Sequence, residues 1–99
     1  MNNSLRFKFD FQTETEDCAY SLMSVIMENI KSFPALCKGL ELIEVSLFQP
    51  ETQGEDHKTA LFKLVSGDTV ITEYSRSKRW EDAILNAFDK IKARFLVAA

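Results

Sequence analysis

Residues 5 to 12, LRFKFDFQ, alternate strictly between apolar and polar. Leu5, Phe7, Phe9 and Phe11 fall on one side, and Arg6, Lys8, Asp10 and Gln12 on the other. A period of two with aromatic residues predicts a half-buried strand. The period then changes. Ala19, Leu22, Met23, Ile26, Ile30 and Phe33 recur at helical spacing. Thr13 and Glu16 have the spacing of a capping box, and Glu14, Glu16 and Asp17 suit the positive end of a helix. Pro34 stops the pattern, because the residue before a proline avoids the α region. The first helix is therefore expected from about Glu14 to Phe33.

Beyond Gly39, residues 40 to 49 return to period two, with Ile43, Val45 and Leu47 on one face. Glu44 and Ser46 take the other face, and Phe48 falls with them on the wetter side. PETQGEDH then reads as an acidic loop. KTALFKLV, 58 to 65, is a third strand, and VITEY, 70 to 74, a fourth. Between them SGDT is a tight turn centred on Gly67 and Asp68, so these two strands are antiparallel neighbours. From about Lys78 to Leu96, Trp80, Ile84, Ala87, Phe88, Ile91 and Phe95 trace one stripe of an amphipathic helix. Ser77 or Ser75 is placed to cap it.

The order is β-α-β-β-β-α. The expected fold class is α+β: a two-layer sandwich, one four-stranded sheet with both helices on one face, which buries every apolar stripe at once. Ninety-nine residues are expected to form a single domain, 1–99. No internal repeat or low-complexity segment interrupts it.

Composition adds one asymmetry. The net charge is −3. Residues 1 to 57 hold four Lys/Arg and ten Asp/Glu, a balance of −6; residues 58 to 99 hold eight and five, a balance of +3. The excess cations gather near the last helix. On a wheel of about 100° per residue, Arg79, Ala83, Lys90 and Arg94 line one flank. Asp82 and Asp89 lie on the back, and Lys92 on the other flank. Arg76 and Lys78 extend the ridge into the preceding loop. Long cationic stems can lie along a core edge and hold their charge outward. Arg76, Lys78, Arg79, Lys90, Lys92 and Arg94 are therefore the expected RNA-binding residues, through phosphate contacts that depend on salt more than on base sequence. Arg6, Lys8, Lys58 and Lys63 on the wet face of the sheet would add to them if they fold nearby. The acidic half supports an alternative, a protein-binding module of inhibitor or immunity type that steers toward a basic protein partner.

Catalytic chemistry finds little support. His57 is the only histidine and sits beside an acidic loop. No metal-ligand spacing, phosphate-cradling glycine motif or nucleophile motif is present. The expectation is a non-enzyme with no cofactor and no metal. Cys18 and Cys37 read as reduced thiols. The chain shows no secretory signal and no apolar run of membrane-spanning length. A cytoplasmic location and no membrane partner follow as expectations.

The C-terminal half carries a resemblance. HKTALFKLVSGDTVITEYSRSKRWEDAILNAFDKIKARF is similar to the third strand, glycine hairpin, fourth strand and final helix of the short ribosome hibernation-promoting factors, also described as ribosome-associated inhibitors or ribosomal subunit interface proteins. Within it, AILNAFDKI resembles their A-I-D-x-φ-x-D-K-φ segment, φ being apolar, with Ala83, Ile84, Asp89, Lys90 and Ile91 matching. The rest of the chain matches in element order and apolar pattern. The resemblance implies a non-enzymatic factor that binds the small ribosomal subunit and its RNA and silences translation under stress. Lys90 is the basic family position that carries over. Where the family has an acidic cap before the last helix, this chain has Arg76, Lys78 and Arg79. The extra dimerisation domain of the long factors is not expected, so the protein would be a monomer, or a weak homodimer through a free sheet edge.

Overall fold

A computed structural model describes residues 5–12, 16–31, 33, 39–49 and 58–98. The elements are β1 (Arg6–Phe11), α1 (Glu16–Ile30), β2 (Leu42–Phe48), β3 (Lys58–Ser66), β4 (Thr69–Ser77) and α2 (Trp80–Ala98). The expected α+β order is observed, with four strands in one sheet in the order β1-β2-β3-β4.

Strand directions follow from the connections. β1 and β2 pair in parallel, Phe7 beside Ile43 and Phe9 beside Val45. Parallel neighbours need a crossover, and α1 supplies it. β2–β3 and β3–β4 are antiparallel. The β3–β4 loop has two residues, because Ser66 pairs with Thr69. Gly67 has φ 61°, and Asp68 has no positive φ. Glycine first with a positive angle is the arrangement of a type II′ hairpin turn, whose twist suits the flanking strands.

Alternation sorts each strand onto two faces. Ile43, Val45 and Leu47 of β2 and Ala60, Phe62 and Leu64 of β3 are buried, at 1% exposure or less. They meet Leu22, Ile26 and Ile30 of α1 and Ala83, Ile84, Ala87, Phe88 and Ile91 of α2 in one core. Phe88 is its hub, with its ring 4.5 Å from that of Phe62 and 5.2 Å from that of Phe33. Burying one such side chain stabilises the fold by about 1.5–3 kcal/mol. The outer face carries Leu42, Glu44, Ser46 and Phe48 of β2, all half-buried, which places Phe48 on the wetter side as its spacing predicts.

Several expectations need correction. The first helix is described over Glu16–Ile30, within the expected range, and Glu14 lies outside the described residues. β4 continues three residues past Tyr74, because Ser75, Arg76 and Ser77 pair with Ala60, Thr59 and Lys58. Arg76 is therefore a strand residue, not a loop residue. Ser75 is buried at 8% and is no cap. Ser77 Oγ accepts a 3.5 Å hydrogen bond from the Arg79 amide, a local turn ahead of the helix and not a bond to its first-turn amides. The last helix begins at Trp80, so Arg79 lies just ahead of it, and Glu81 and Asp82 fill its first turn. Ala83 is fully buried and belongs to the core, not to a cationic flank. Thr13, Pro34, Cys37, His57 and the acidic loop lie outside the described residues, as does the side chain of Cys18.

Candidate nucleic-acid interface

The basic residues divide into two groups. The first surrounds Tyr74, which sits on β4 at the sheet edge and is 48% exposed. Arg76 lies two residues on, on the same face by alternation. Its guanidinium carbon is 5.6 Å from the centroid of the Tyr74 ring. Lys90 reaches the same ring from α2, with Nζ 5.5 Å from the centroid. That Nζ also donates a 2.8 Å hydrogen bond to the Tyr74 carbonyl. Arg94, one helical turn further on, contacts Glu73 Oε2 through Nε at 3.2 Å. Lys90 and Arg94, one turn apart on α2, thus reach the β4 edge at Tyr74 and Glu73, while Arg76 lies beside Tyr74 on the outer face.

The second group lies at the end of the sheet. Lys78 and Arg79 occupy the turn between β4 and α2. Arg79 forms a 2.8 Å charge-assisted hydrogen bond to Glu81 Oε1. Lys58 joins them because β3 and β4 pair in register, Lys58 opposite Ser77. Its Nζ lies 5.8 Å from the centroid of the Trp80 ring. These residues, with Ser21 and Leu22 of α1, Trp80 and Glu81, line a cavity of about 460 Å³.

Lys92 stands apart. Two residues beyond Lys90 on a helix is a turn of about 200°, and Lys92 is half-buried on the other flank. Arg6 and Lys8 are on β1, three strands from β4. At about 4.8 Å per strand they sit too far away to join the residues at the β4 edge. Lys63 shares the outer face but pairs across β2 with Glu44 and across β4 with Thr72. Lys58 shares the parity of Ala60, Phe62 and Leu64, so it is directed toward the helix layer and not onto the wet face.

One contributor was not among the expected residues, and another was expected on the wrong face. Tyr74 was read as an ordinary strand residue, although an aromatic two positions before an arginine puts both on one strand face. Lys58 was assigned to the wrong face, although its parity with Ala60, Phe62 and Leu64 carries that information. Among the described residues, no group of three His, Cys, Asp or Glu side chains could hold a metal ion. No helix is long and apolar enough to cross a membrane.

No protein-family model matches the chain, and no curated protein matches its sequence. Solved structures do match its fold. A ribosomal subunit interface protein from Coxiella burnetii superposes with a TM-score of 0.73 at 7% sequence identity, covering 95% of this chain and 97% of that one. The N-terminal domain of Thermus thermophilus Protein Y gives 0.67 at 13% identity, covering 95% and 96%. At these identities the likeness is one of architecture, and it spans almost the whole of each chain. The resemblance read from the C-terminal half thus extends, as a fold, to the first strand and helix.

Proposed function

We propose that the protein is a non-enzymatic, ribosome-associated factor that acts in the cytoplasm as a single domain, binding RNA of the small ribosomal subunit and repressing translation. The observation that carries this reading is the arrangement at Tyr74. An exposed aromatic ring is flanked by a guanidinium and an ammonium, each within 6 Å of its centroid. A π-face beside two cations suits single-stranded RNA, which offers a stacking base next to a phosphate. Support for the ribosome as the partner comes from the shared architecture, because the matching Coxiella protein is described as a ribosomal subunit interface protein. Fold alone does not fix function, so the weight rests on the cluster.

The mechanism would be occupancy. Arg76, Lys90 and Arg94 engage phosphates around the β4 edge, and Tyr74 stacks on an unpaired base. Lys78 and Arg79 extend the positive field past the end of the sheet. Their attraction speeds encounter and makes affinity fall with salt. A bound domain blocks the RNA surface that it covers; no bond is made or broken.

Co-sedimentation with purified small subunits tests this. The protein is expected in the subunit pellet at low salt and in the supernatant at high salt. Absence from the pellet at low salt would overturn the reading. Capture of one basic protein, unchanged by nuclease, would replace it with a protein-binding role.

A further inference from the structure

The cavity at the end of the sheet has a composition of its own. It lies between α1, the start of β3 and the β4–α2 turn. Lys58 and the consecutive pair Lys78 and Arg79 come to it from two separate parts of the chain. Leu22 and Trp80 give it an apolar wall, both nearly buried at 4% and 6% exposure. Ser21 brings a hydroxyl. Glu81 is the one carboxylate among the described lining residues, and Arg79 already holds it at 2.8 Å. Among the described residues Lys78 has no carboxylate partner. The volume of about 460 Å³ falls within the ~300–1,000 Å³ range of pockets for small organic ligands, well above the size of a bare ion.

We propose that this cavity is a binding site for a nucleotide phosphate. Three cations beside a hydroxyl suit the doubly charged phosphate of a phosphomonoester, with Arg79 pre-oriented by Glu81 and Lys78 supplying a mobile charge. The wall of Leu22 and Trp80 suits the ring and sugar body that a bare phosphate lacks. The phosphate can come from a free mononucleotide or from the 5′ end of an RNA strand, and the chemistry of the site is the same for both. The site is separate from the Tyr74 cluster and does not depend on the ribosomal reading.

The single tryptophan makes the test direct, because Trp80 is the only one in the chain. A phosphate that draws Lys58 from its place over the indole changes the emission of that ring. The full chain is titrated with GMP, AMP, guanosine and inorganic phosphate. A 5′-phosphorylated RNA trinucleotide and its unphosphorylated twin complete the series. Amide NMR shifts of Ser21, Lys58 and Trp80 read the same occupancy without relying on quenching.

A saturable response to GMP or AMP, weaker with phosphate and absent with guanosine, is the expected result. A response confined to the phosphorylated trinucleotide would uphold the phosphate site and name RNA ends as its source. Lys78→Ala and Lys58→Ala should each weaken binding about three- to tenfold, the loss of one charge-assisted contact at a partly exposed site. Equal responses to guanosine and GMP, no saturable response to any probe, or unchanged affinity in both variants would overturn the proposal. Co-sedimentation with small subunits reads the ribosomal role independently.

Discussion

The ammonium of Lys90 donates a 2.8 Å hydrogen bond to the backbone carbonyl of Tyr74 and lies 5.5 Å from the centroid of the same residue's ring. One side chain thus satisfies an acceptor on the edge strand and pins a cation beside an exposed aromatic. The edge of a sheet is a template for unwanted strand pairing, and a lysine there discourages it. The same contact holds the charge where RNA phosphate would meet it. A structural role and the proposed binding role therefore meet in Lys90, and substitutions elsewhere in the cluster separate them.

Alanine at both Arg76 and Arg94 should sharply weaken co-sedimentation with small subunits, at a cost to the fold limited to the Arg94–Glu73 ion pair, under about 1 kcal/mol. Each lost phosphate contact should lower the slope of log affinity against log salt by about 0.7 to 1. Salt-dependent binding of a fluorescent ribosomal RNA fragment gives the slope. An unchanged slope in the double variant would remove these residues from the interface.

Tyr74→Ala and Tyr74→Phe separate stacking from charge. Loss of a base-stacking ring costs about 1–3 kcal/mol of RNA binding, whereas phenylalanine keeps the ring. The alanine variant should bind RNA at least several-fold more weakly, and the phenylalanine variant close to wild type. The Lys90 hydrogen bond goes to the backbone carbonyl, so both variants keep it. Fluorescence anisotropy with a single-stranded RNA checks the contrast.

Phe88→Ala should be the most damaging single change among the core residues named here. The ring is 1% exposed and packs on Phe62 and Phe33 from two different layers. Truncating a buried phenylalanine costs about 3–5 kcal/mol, part of it the cavity left behind. Urea unfolding should show a large fall in midpoint. A loss below about 1 kcal/mol would contradict the placement of Phe88 at the hub.

Gly67→Ala tests the hairpin. A Cβ there meets no heavy atom within 4 Å, so sterics with neighbours play no part. The cost comes from φ 61° alone and should be about 1 kcal/mol. By contrast, Arg79→Ala breaks an exposed ion pair with Glu81 and should change stability by less than about 1 kcal/mol. Thermal unfolding of the two variants ranks them, with glycine the more sensitive position.

The chain's own patterns settled the element order and most of the core. Period two in residues 42–48 and period 3.6 through Trp80, Ile84, Phe88 and Ile91 name faces that the structure buries. This follows because burying an apolar stripe is the main driving force and each stripe has the spacing of its element. The glycine turn of SGDT was equally readable, since few residues accept a positive φ. Element ends were not. Ser75, Arg76 and Ser77 look like a polar linker, and only pairing with Ala60, Thr59 and Lys58 makes them strand. That pairing moved Arg76 from a loop to the face of Tyr74. The basic ridge was visible as composition and helix geometry, but its division was not. Lys90 and Arg94 reach β4 because α2 lies along it, while Lys78 and Arg79 turn toward Lys58 and α1. Contacts between residues 16 or more positions apart depend on how helices and strands pack, and local periodicity carries no information about that. YSRSKRWEDA therefore divides between two clusters: Tyr74 and Arg76 belong to the sheet edge, and Lys78, Arg79 and Trp80 to the cavity.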